Sequence, residues 1–129
     1  MRSLVLASLL NEVVATSAEV TKTASRKSKT SLLADLFRRL QVSELGPAIG
    51  LLIGQPRQRR IGVGYVSVFN VKTDPAGQPT LTVSDVDETL TALQESIGPG
   101  SQKLRSDLLN KLMGRATATE QAFLRQVIT

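Results

Sequence analysis

The chain has 129 residues, enough for one domain with a real hydrophobic core, and 41% of them are hydrophobic while 21% are charged. It contains no cysteine and no histidine, which excludes disulfide bonds, thiol nucleophiles, histidine proton transfer and nearly all transition-metal sites. Lys and Arg number 16 against 11 acidic residues, so the net charge is +5 and polyanions are the natural class of partner.

The first half of the sequence predicts three helices and a basic loop. Apolar residues recur at helical spacing over residues 3–21 and again over residues 26–41. Pro47 is predicted to be the first residue of a short third helix that ends near Gly54, because proline suits that position and glycine commonly follows a helix. Residues 55–60 then predict a loop rich in arginine.

The start of the chain also imitates a secretory signal peptide, with one positive charge and a brief apolar stretch. Asn11 and Glu12 interrupt that stretch early. No apolar run in the sequence approaches the roughly 18 residues that a membrane-spanning helix needs. We therefore interpret the segment as a packed amphipathic helix and expect no membrane partner.

The middle of the sequence leaves one segment undecided. Residues 61–71 are rich in valine and aromatic residues that favour a strand, yet the run is short enough to be a helical turn. Residues 74–77 predict a turn or loop. A helix is expected to begin at about Asp85, with Ser84 as its N-cap and Ile97 on its buried face.

Two more helices are predicted before the end of the chain. Ser101 is expected to cap a helix that runs to about Met113, with Leu104 in its core stripe. Thr117 and Glu120 have the spacing of a capping box for a last helix. The predicted fold class is therefore all-α, a multi-helix bundle with at most one short extended segment near residues 61–71.

Two of the predicted helix starts combine cations, hydroxyl groups and exposed backbone N–H groups. Residues 25–29 read Ser-Arg-Lys-Ser-Lys, and residues 98–103 read Gly-Pro-Gly-Ser-Gln-Lys. Such a start can bind successive phosphates without reading bases. The alternative for both is a capped connector whose charges are only solvated. With three Phe, one Tyr and no Trp, the chain offers a poor stacking platform for single strands.

Motifs for catalysis and for cofactors are weak. Residues 62–64 read Gly-Val-Gly, but the third glycine of a dinucleotide-binding fingerprint is missing. No Gly-rich loop ends in Gly-Lys-Ser or Gly-Lys-Thr, which excludes a P-loop. The carboxylates of Asp85, Asp87 and Glu88 suit the first turn of a helix better than a metal site. We predict no catalytic, cofactor-binding or metal-binding residue in this chain, and no small-molecule substrate.

Several segments, taken in order, form a more specific pattern than any one of them alone. Residues 13–20 are followed by the basic segment 25–29, and an apolar segment at 48–54 is followed by Ile-Gly-Val-Gly-Tyr at 61–65. The second half adds a longer ordered set: Gly98-Pro99-Gly100-Ser101-Gln102, Leu108-Leu109, Leu112, Arg115-Ala116-Thr117, Glu120 and Phe123-Leu124. Together these segments resemble the N-terminal DNA-binding domain of ATP-dependent DNA ligases, especially the actinobacterial kind.

The resemblance implies an all-α domain, residues 1–129, that lies along the minor groove of nicked duplex DNA and contacts backbone phosphates. It implies a role in DNA repair, replication or recombination and a cytoplasmic, nucleoid-associated location. The sequence leaves the oligomeric state open, and we expect a monomer. Family contacts fall in the corresponding helix starts, so the expected DNA-binding residues are Ser25, Arg26, Lys29, Gly100, Ser101, Gln102, Lys103 and, more weakly, Arg105.

Two departures from the family pattern matter. The adenylation motif of the family, Lys-x-Asp-Gly, is missing, because Lys72-Thr73-Asp74 is followed by Pro75. The family uses ATP and Mg²⁺, but this chain is expected to need no cofactor and to be inactive alone, without the adenylation and OB-fold domains. The family also continues past the last helix, so we expect a domain that is incomplete at its C-terminal end and leaves the apolar face of residues 123–128 uncovered.

Two other function classes remain as alternatives. In the first, the chain is a stand-alone helical module that contacts a partner protein and whose basic faces are only solvated surface. In the second, residues 62–64 belong to a nucleotide-binding or small-molecule enzyme, which no general base or nucleophile in the sequence supports.

Overall fold

The computed structural model describes residues 7–59, 61 and 71–128. Those ranges contain helices and no strand, so the all-α prediction is confirmed, whereas most of the undecided segment 61–71 lies outside the described residues. None of the described helices is long and apolar enough to cross a membrane. In chain order the helices are α1 (Leu10–Lys22), α2 (Arg26–Arg39), α3 (Val42–Leu52), α4 (Val83–Glu95), α5 (Ser101–Arg115) and α6 (Ala118–Ile128).

The first helix begins later than its apolar spacing predicted. Residues 1–6 lie outside the described residues, and the chain enters α1 only at Leu10. The Leu10 N–H donates to the Leu81 carbonyl oxygen at 2.8 Å, and the Val83 N–H donates to the Ser8 carbonyl oxygen at 2.9 Å. These backbone bonds form a short antiparallel bridge that holds the starts of α1 and α4 together.

Pro47 is not the first residue of α3, although the sequence predicted that position. The helix already begins at Val42, and Pro47 lies inside it. Its start is set by a capping box, in which the Glu44 carboxylate accepts the Gln41 N–H at 2.8 Å. A proline inside a helix removes one backbone hydrogen bond, and the capping box at the helix start offsets part of that loss. The predicted end is confirmed, because Gly54 follows the helix with φ of 71°.

Helix α4 begins two residues before the predicted start. Thr82, not Ser84, is the N-cap: its hydroxyl accepts the Asp85 N–H at 2.9 Å, and the Asp85 carboxylate accepts the Thr82 N–H at 3.0 Å. The helix also ends early, at Glu95. Ile97 therefore lies outside it and is 78% exposed, which contradicts its predicted burial.

One core joins all six described helices. Helix α1 contacts α2, α3 and α6, while α4 contacts α3 and α5. The predicted capping box of Thr117 and Glu120 is confirmed, with the Thr117 N–H donating to the Glu120 carboxylate at 2.8 Å. The largest fully buried apolar side chains are Leu10, Leu36, Leu81, Leu90, Leu93, Met113, Leu124, Val13, Val83 and Val86.

The last helix is covered, contrary to expectation. Leu124, Val127 and Ile128 are all buried, and α6 packs against α1. The first helix of the chain supplies the surface that we expected from residues beyond the chain. This contact could not be read from the sequence, because it joins two segments about a hundred residues apart.

Candidate nucleic-acid interface

The first predicted cluster lies at the start of α2. Ser25 is the N-cap, and its hydroxyl accepts the Ser28 N–H at 3.2 Å. The Lys29 N–H donates to the Ser25 carbonyl oxygen at 3.0 Å, which completes the first turn. Ser25 and Arg26 are exposed and Lys29 is half-buried. A serine hydroxyl can accept one hydrogen bond and donate another, so the capping bond leaves its proton available to a phosphate oxygen.

Positive charge is concentrated at the turn between α1 and α2. Further along α2, Arg38 pairs with Asp35 at 2.7 Å and Arg39 pairs with Glu12 of α1. Within the described ranges, no ion pair involves the cations that flank the turn, which are Lys22, Arg26, Lys27 and Lys29. Among the described residues these four charges have no ion-pair partner, so they are available to an anionic partner.

The second predicted cluster lies at the start of α5, where the structure corrects the cap. Gly100 is the N-cap, with φ of 83°, and no side chain caps the helix. Ser101 is therefore the first helical residue and not the predicted cap. Its N–H donates to the Gly98 carbonyl oxygen at 3.2 Å. Because glycine adopts the left-handed conformation without steric cost, it sets the entry to the helix and leaves the next backbone N–H groups uncapped.

The side chains that follow Gly100 are accessible to different degrees. Gln102 and Lys103 are exposed, and Lys103 pairs with Asp107 at 3.0 Å. Both side chains of that pair are well exposed, at 84% and 62%, so the interaction is weak and a phosphate can replace it. Arg105 is half-buried and already makes a contact within the protein. Leu104, predicted to lie in the core, is 51% exposed.

The predicted residues therefore lie on two helix starts that belong to different helix pairs. Helix α2 packs on α1, whereas α5 packs on α4. Each start brings its own hydroxyl group, cation and backbone N–H groups together, as its sequence predicted. Two separate helix starts with groups that suit phosphate fit an extended polyanion better than a small ligand.

Sequence reasoning missed the internal use of one basic residue. The Arg57 guanidinium binds the Asp87 carboxylate through two hydrogen bonds, at 2.8 and 2.7 Å. The hydrogen bond to Asp87 raises the pKa of Arg57 above its ordinary value, against a smaller opposing effect of burial. Thirty residues separate the two partners, and no local pattern in the sequence announces such a pair.

The acidic residues do not form a metal site in the part of the chain that the structure describes. No group of three acidic side chains there is close enough to hold a metal ion. Burial raises the pKa of Asp85, but the hydrogen bonds from Thr82 and the nearby Arg115 guanidinium together lower it by more. The pKa of Asp85 therefore lies below its ordinary value. With Asp85 bound to Arg115 and Asp87 bound to Arg57, neither carboxylate is free to hold Mg²⁺.

Comparisons with known proteins identify the family of the chain. A family model described as DNA ligase N terminus matches residues 65–129. Probable DNA ligases from Saccharopolyspora erythraea and Streptomyces griseus are each 46% identical to the chain, over 93% and 94% of its length, and one from Rhodococcus opacus is 40% identical over 94%.

The chain spans about a quarter of the length of these relatives, 24% in each case. No solved structure matches the chain. Identity of this level over nearly the whole chain, together with a family model that covers half of it, shows the family. The chain belongs to the DNA ligases and corresponds to their N-terminal region.

Proposed function

We propose that this chain binds the sugar–phosphate backbone of nicked duplex DNA, through the minor groove side and without regard to base sequence. It does so as the non-catalytic N-terminal domain of an ATP-dependent DNA ligase that seals nicks. The observation that carries the proposal is the group of cations at the α1–α2 turn, which form no ion pair in the part of the chain that the structure describes. Membership of the ligase family supports DNA as the polyanion.

The chemistry of both helix starts favours phosphate over bases. Backbone N–H groups and the positive end of the helix dipole attract an anion at the starts of α2 and α5. Ser25 and Gln102 add hydrogen-bond donors, while Arg26, Lys29 and Lys103 add charge. Phosphate contacts carry no direct sequence information, so in this proposal shape and charge supply the affinity.

Catalysis belongs to other parts of the longer protein in this proposal. Lys72 and Asp74 stand in an irregular segment, followed by Pro75 where the adenylation motif has glycine. This segment therefore lacks the motif that reacts with ATP. The carboxylates of Asp85 and Asp87 are paired with arginines and do not offer a site for Mg²⁺. The remaining three quarters of the relatives' length would supply the nucleotide chemistry used in replication, repair and recombination in the cytoplasm.

Binding to duplex DNA across a series of salt concentrations tests the proposal. We expect the chain to bind nicked and intact duplexes of two unrelated sequences with similar affinity at equal salt. The logarithm of the binding constant should fall linearly with the logarithm of salt concentration, by about 0.9 for each phosphate contacted. Fluorescence anisotropy of labelled duplexes gives both quantities.

Absence of binding at low salt, by protein shown to be folded by circular dichroism, would contradict the proposal. It would favour the alternative of a protein-interaction module whose basic faces are only solvated surface. Strong dependence on base sequence would also contradict it, because phosphate contacts carry no direct sequence information.

Substitution of Ser25 by aspartate separates its role as the N-cap of α2 from its proposed role as a hydrogen-bond donor to phosphate. Aspartate caps a helix as well as serine does, so the midpoint of thermal unfolding should change little in Ser25→Asp. The new carboxylate lacks a hydroxyl proton and repels phosphate, so duplex binding should weaken by about tenfold at 0.1 M salt. Ser31→Asp, at an exposed position within the same helix, is the matched control for added negative charge. Equal weakening in both variants would show that Ser25 makes no specific contact.

A further inference from the structure

The basic turn after α3 is fixed firmly to α4 by side-chain hydrogen bonds. Besides the pair of Arg57 with Asp87, the Gln58 Nε2 group donates to the Asp87 carboxylate at 2.7 Å, to the Asp87 carbonyl oxygen at 3.0 Å and to the Thr91 hydroxyl at 3.0 Å. The Gln94 Nε2 group donates to the Gln58 carbonyl oxygen at 2.6 Å. Gln58 is only 6% exposed, so these bonds are shielded from water and hold the turn in one position.

The other side of the turn lies directly against α3. A Cβ atom placed on Gly50 would come within 2.9 Å of the Gln55 carbonyl oxygen and within 3.0 Å of the Arg57 backbone nitrogen. The Gln55 N–H donates to the Gly50 carbonyl oxygen at 2.9 Å, and Pro56 is buried. Contacts to two helices therefore determine the path of the backbone through residues 55–58.

Arg59 ends this fixed turn in a conformation that is unusual for its type. Its φ is 64°, and every other positive φ among the described residues belongs to glycine. Its N–H donates to the Pro56 carbonyl oxygen at 2.7 Å, which closes the turn. The side chain is exposed, and within the described ranges its guanidinium forms no hydrogen bond or ion pair. A non-glycine residue in this region costs conformational energy, and such positions cluster at functional sites.

The turn lies along α4, where Gln58 contacts Asp87 and Thr91 as well as Gln94 near the end of the helix. Gln94, which holds the Gln58 carbonyl, is the last residue but one of α4. The linker 96–100 leads from there to Ser101, and a linker of this length spans at most roughly 20 Å. Duplex DNA carries one phosphate charge per about 1.7 Å of its axis, so it offers phosphates along its whole length to cations near α4.

We propose that Arg59 is a further phosphate contact of the DNA-binding surface, presented in a fixed position by the turn that Arg57 and Gln58 anchor to α4. The proposal rests on the proposed function and adds a third contact region to the two helix starts. Because the backbone is already ordered, binding a phosphate here immobilises only the arginine side chain, which reduces the entropic cost of the contact.

Replacement of Arg59 by glycine tests this contact in the full chain. Glycine adopts a positive φ without cost, so Arg59→Gly should unfold at the same temperature as the wild type or higher. We expect its salt slope for duplex binding to fall by about one unit, and its affinity at 0.1 M salt to fall by about fivefold to tenfold. Arg59→Lys, which keeps the charge, should retain most of the slope. Lys72→Gly, which removes an equal charge from another exposed loop position, is the control and should retain the slope.

The outcomes separate the two proposals. If the wild type binds with a steep salt slope and Lys29→Ala reduces it, while Arg59→Gly leaves it unchanged, the Arg59 contact is wrong and the proposed function stands. Equal losses in Arg59→Gly and Lys72→Gly would also overturn it, because only net charge would matter. If the folded wild type fails to bind duplex DNA, both proposals are wrong.

Discussion

Simultaneous replacement of Arg26, Lys29 and Lys103 by alanine is expected to lower the salt slope of duplex binding by about three units. Each cation is predicted to displace the counterions of one phosphate, and each lost contact lowers the slope by about 0.9. At 0.1 M salt the same loss corresponds to an affinity on the order of 100-fold weaker. Arg26 and Lys29 make no ion pair within the described residues, and Lys103 makes only an exposed one, so stability should change little.

The matched control removes the same net charge from cations outside the two helix starts. Arg38, Lys72 and Lys111 are all exposed and serve this purpose when replaced together by alanine. We expect a clearly smaller decrease in slope, because distant surface charges are screened at this ionic strength. If both triple variants lose the same slope, affinity follows net charge and the two helix starts have no special role.

The largest expected loss of stability comes from Glu44→Ala. Glu44 is 3% exposed, and its carboxylate accepts the Ser8 N–H at 2.8 Å, the Ser8 hydroxyl at 2.9 Å and the Gln41 N–H at 2.8 Å. Alanine would leave these donors without a partner in a buried place, which costs about 2–4 kcal/mol of unfolding free energy. Urea unfolding followed by circular dichroism measures the loss. Glu88→Ala, at an exposed position, should change the free energy by less than about 0.5 kcal/mol.

The same carboxylate should make stability depend on pH. Burial raises the pKa of Glu44, but the hydrogen bonds from Gln41 and Ser8 together lower it by more. The pKa of Glu44 therefore lies below its ordinary value. A pKa that is lower in the folded state stabilises the fold fully above the unfolded value of about 4.3, and this stabilisation is lost as pH falls through the folded value. In Glu44→Gln, the part of the acid-induced loss of unfolding free energy that comes from Glu44 should disappear. The part that comes from Asp85 should remain, because the pKa of Asp85 is also lowered in the folded state. An unchanged pH profile would contradict the role given to Glu44.

Local patterns in the sequence were sufficient for the fold class and for the start of α2. Helical spacing of apolar residues placed α2 correctly from its first residue, and the Thr117 and Glu120 capping box is present as predicted. Capping bonds join residues three positions apart, so their signal is contained in a short window. The same holds for residues 25–29, whose hydroxyl and cations share one turn of helix.

Errors occurred where two local signals competed. Pro47 suits a helix start, but the Gln41 and Glu44 box lies upstream and determines the start instead. Ser101 suits an N-cap, but Gly100 in the left-handed conformation occupies that position. To predict which of two neighbouring residues is the N-cap, one must know the direction from which the chain enters the helix. Packing of the preceding segment determines that direction.

Periodicity and charge are properties of the chain alone, and they were enough to predict a helical, basic domain, while the order of its motifs carried the resemblance to the DNA ligase N-terminal region. The tertiary structure was needed to show that α1 packs against α6 and that Asp87 neutralises Arg57. These facts depend on contacts between residues 30 or more positions apart along the chain. Such contacts form through the packing of whole helices, and no short window of sequence contains both partners.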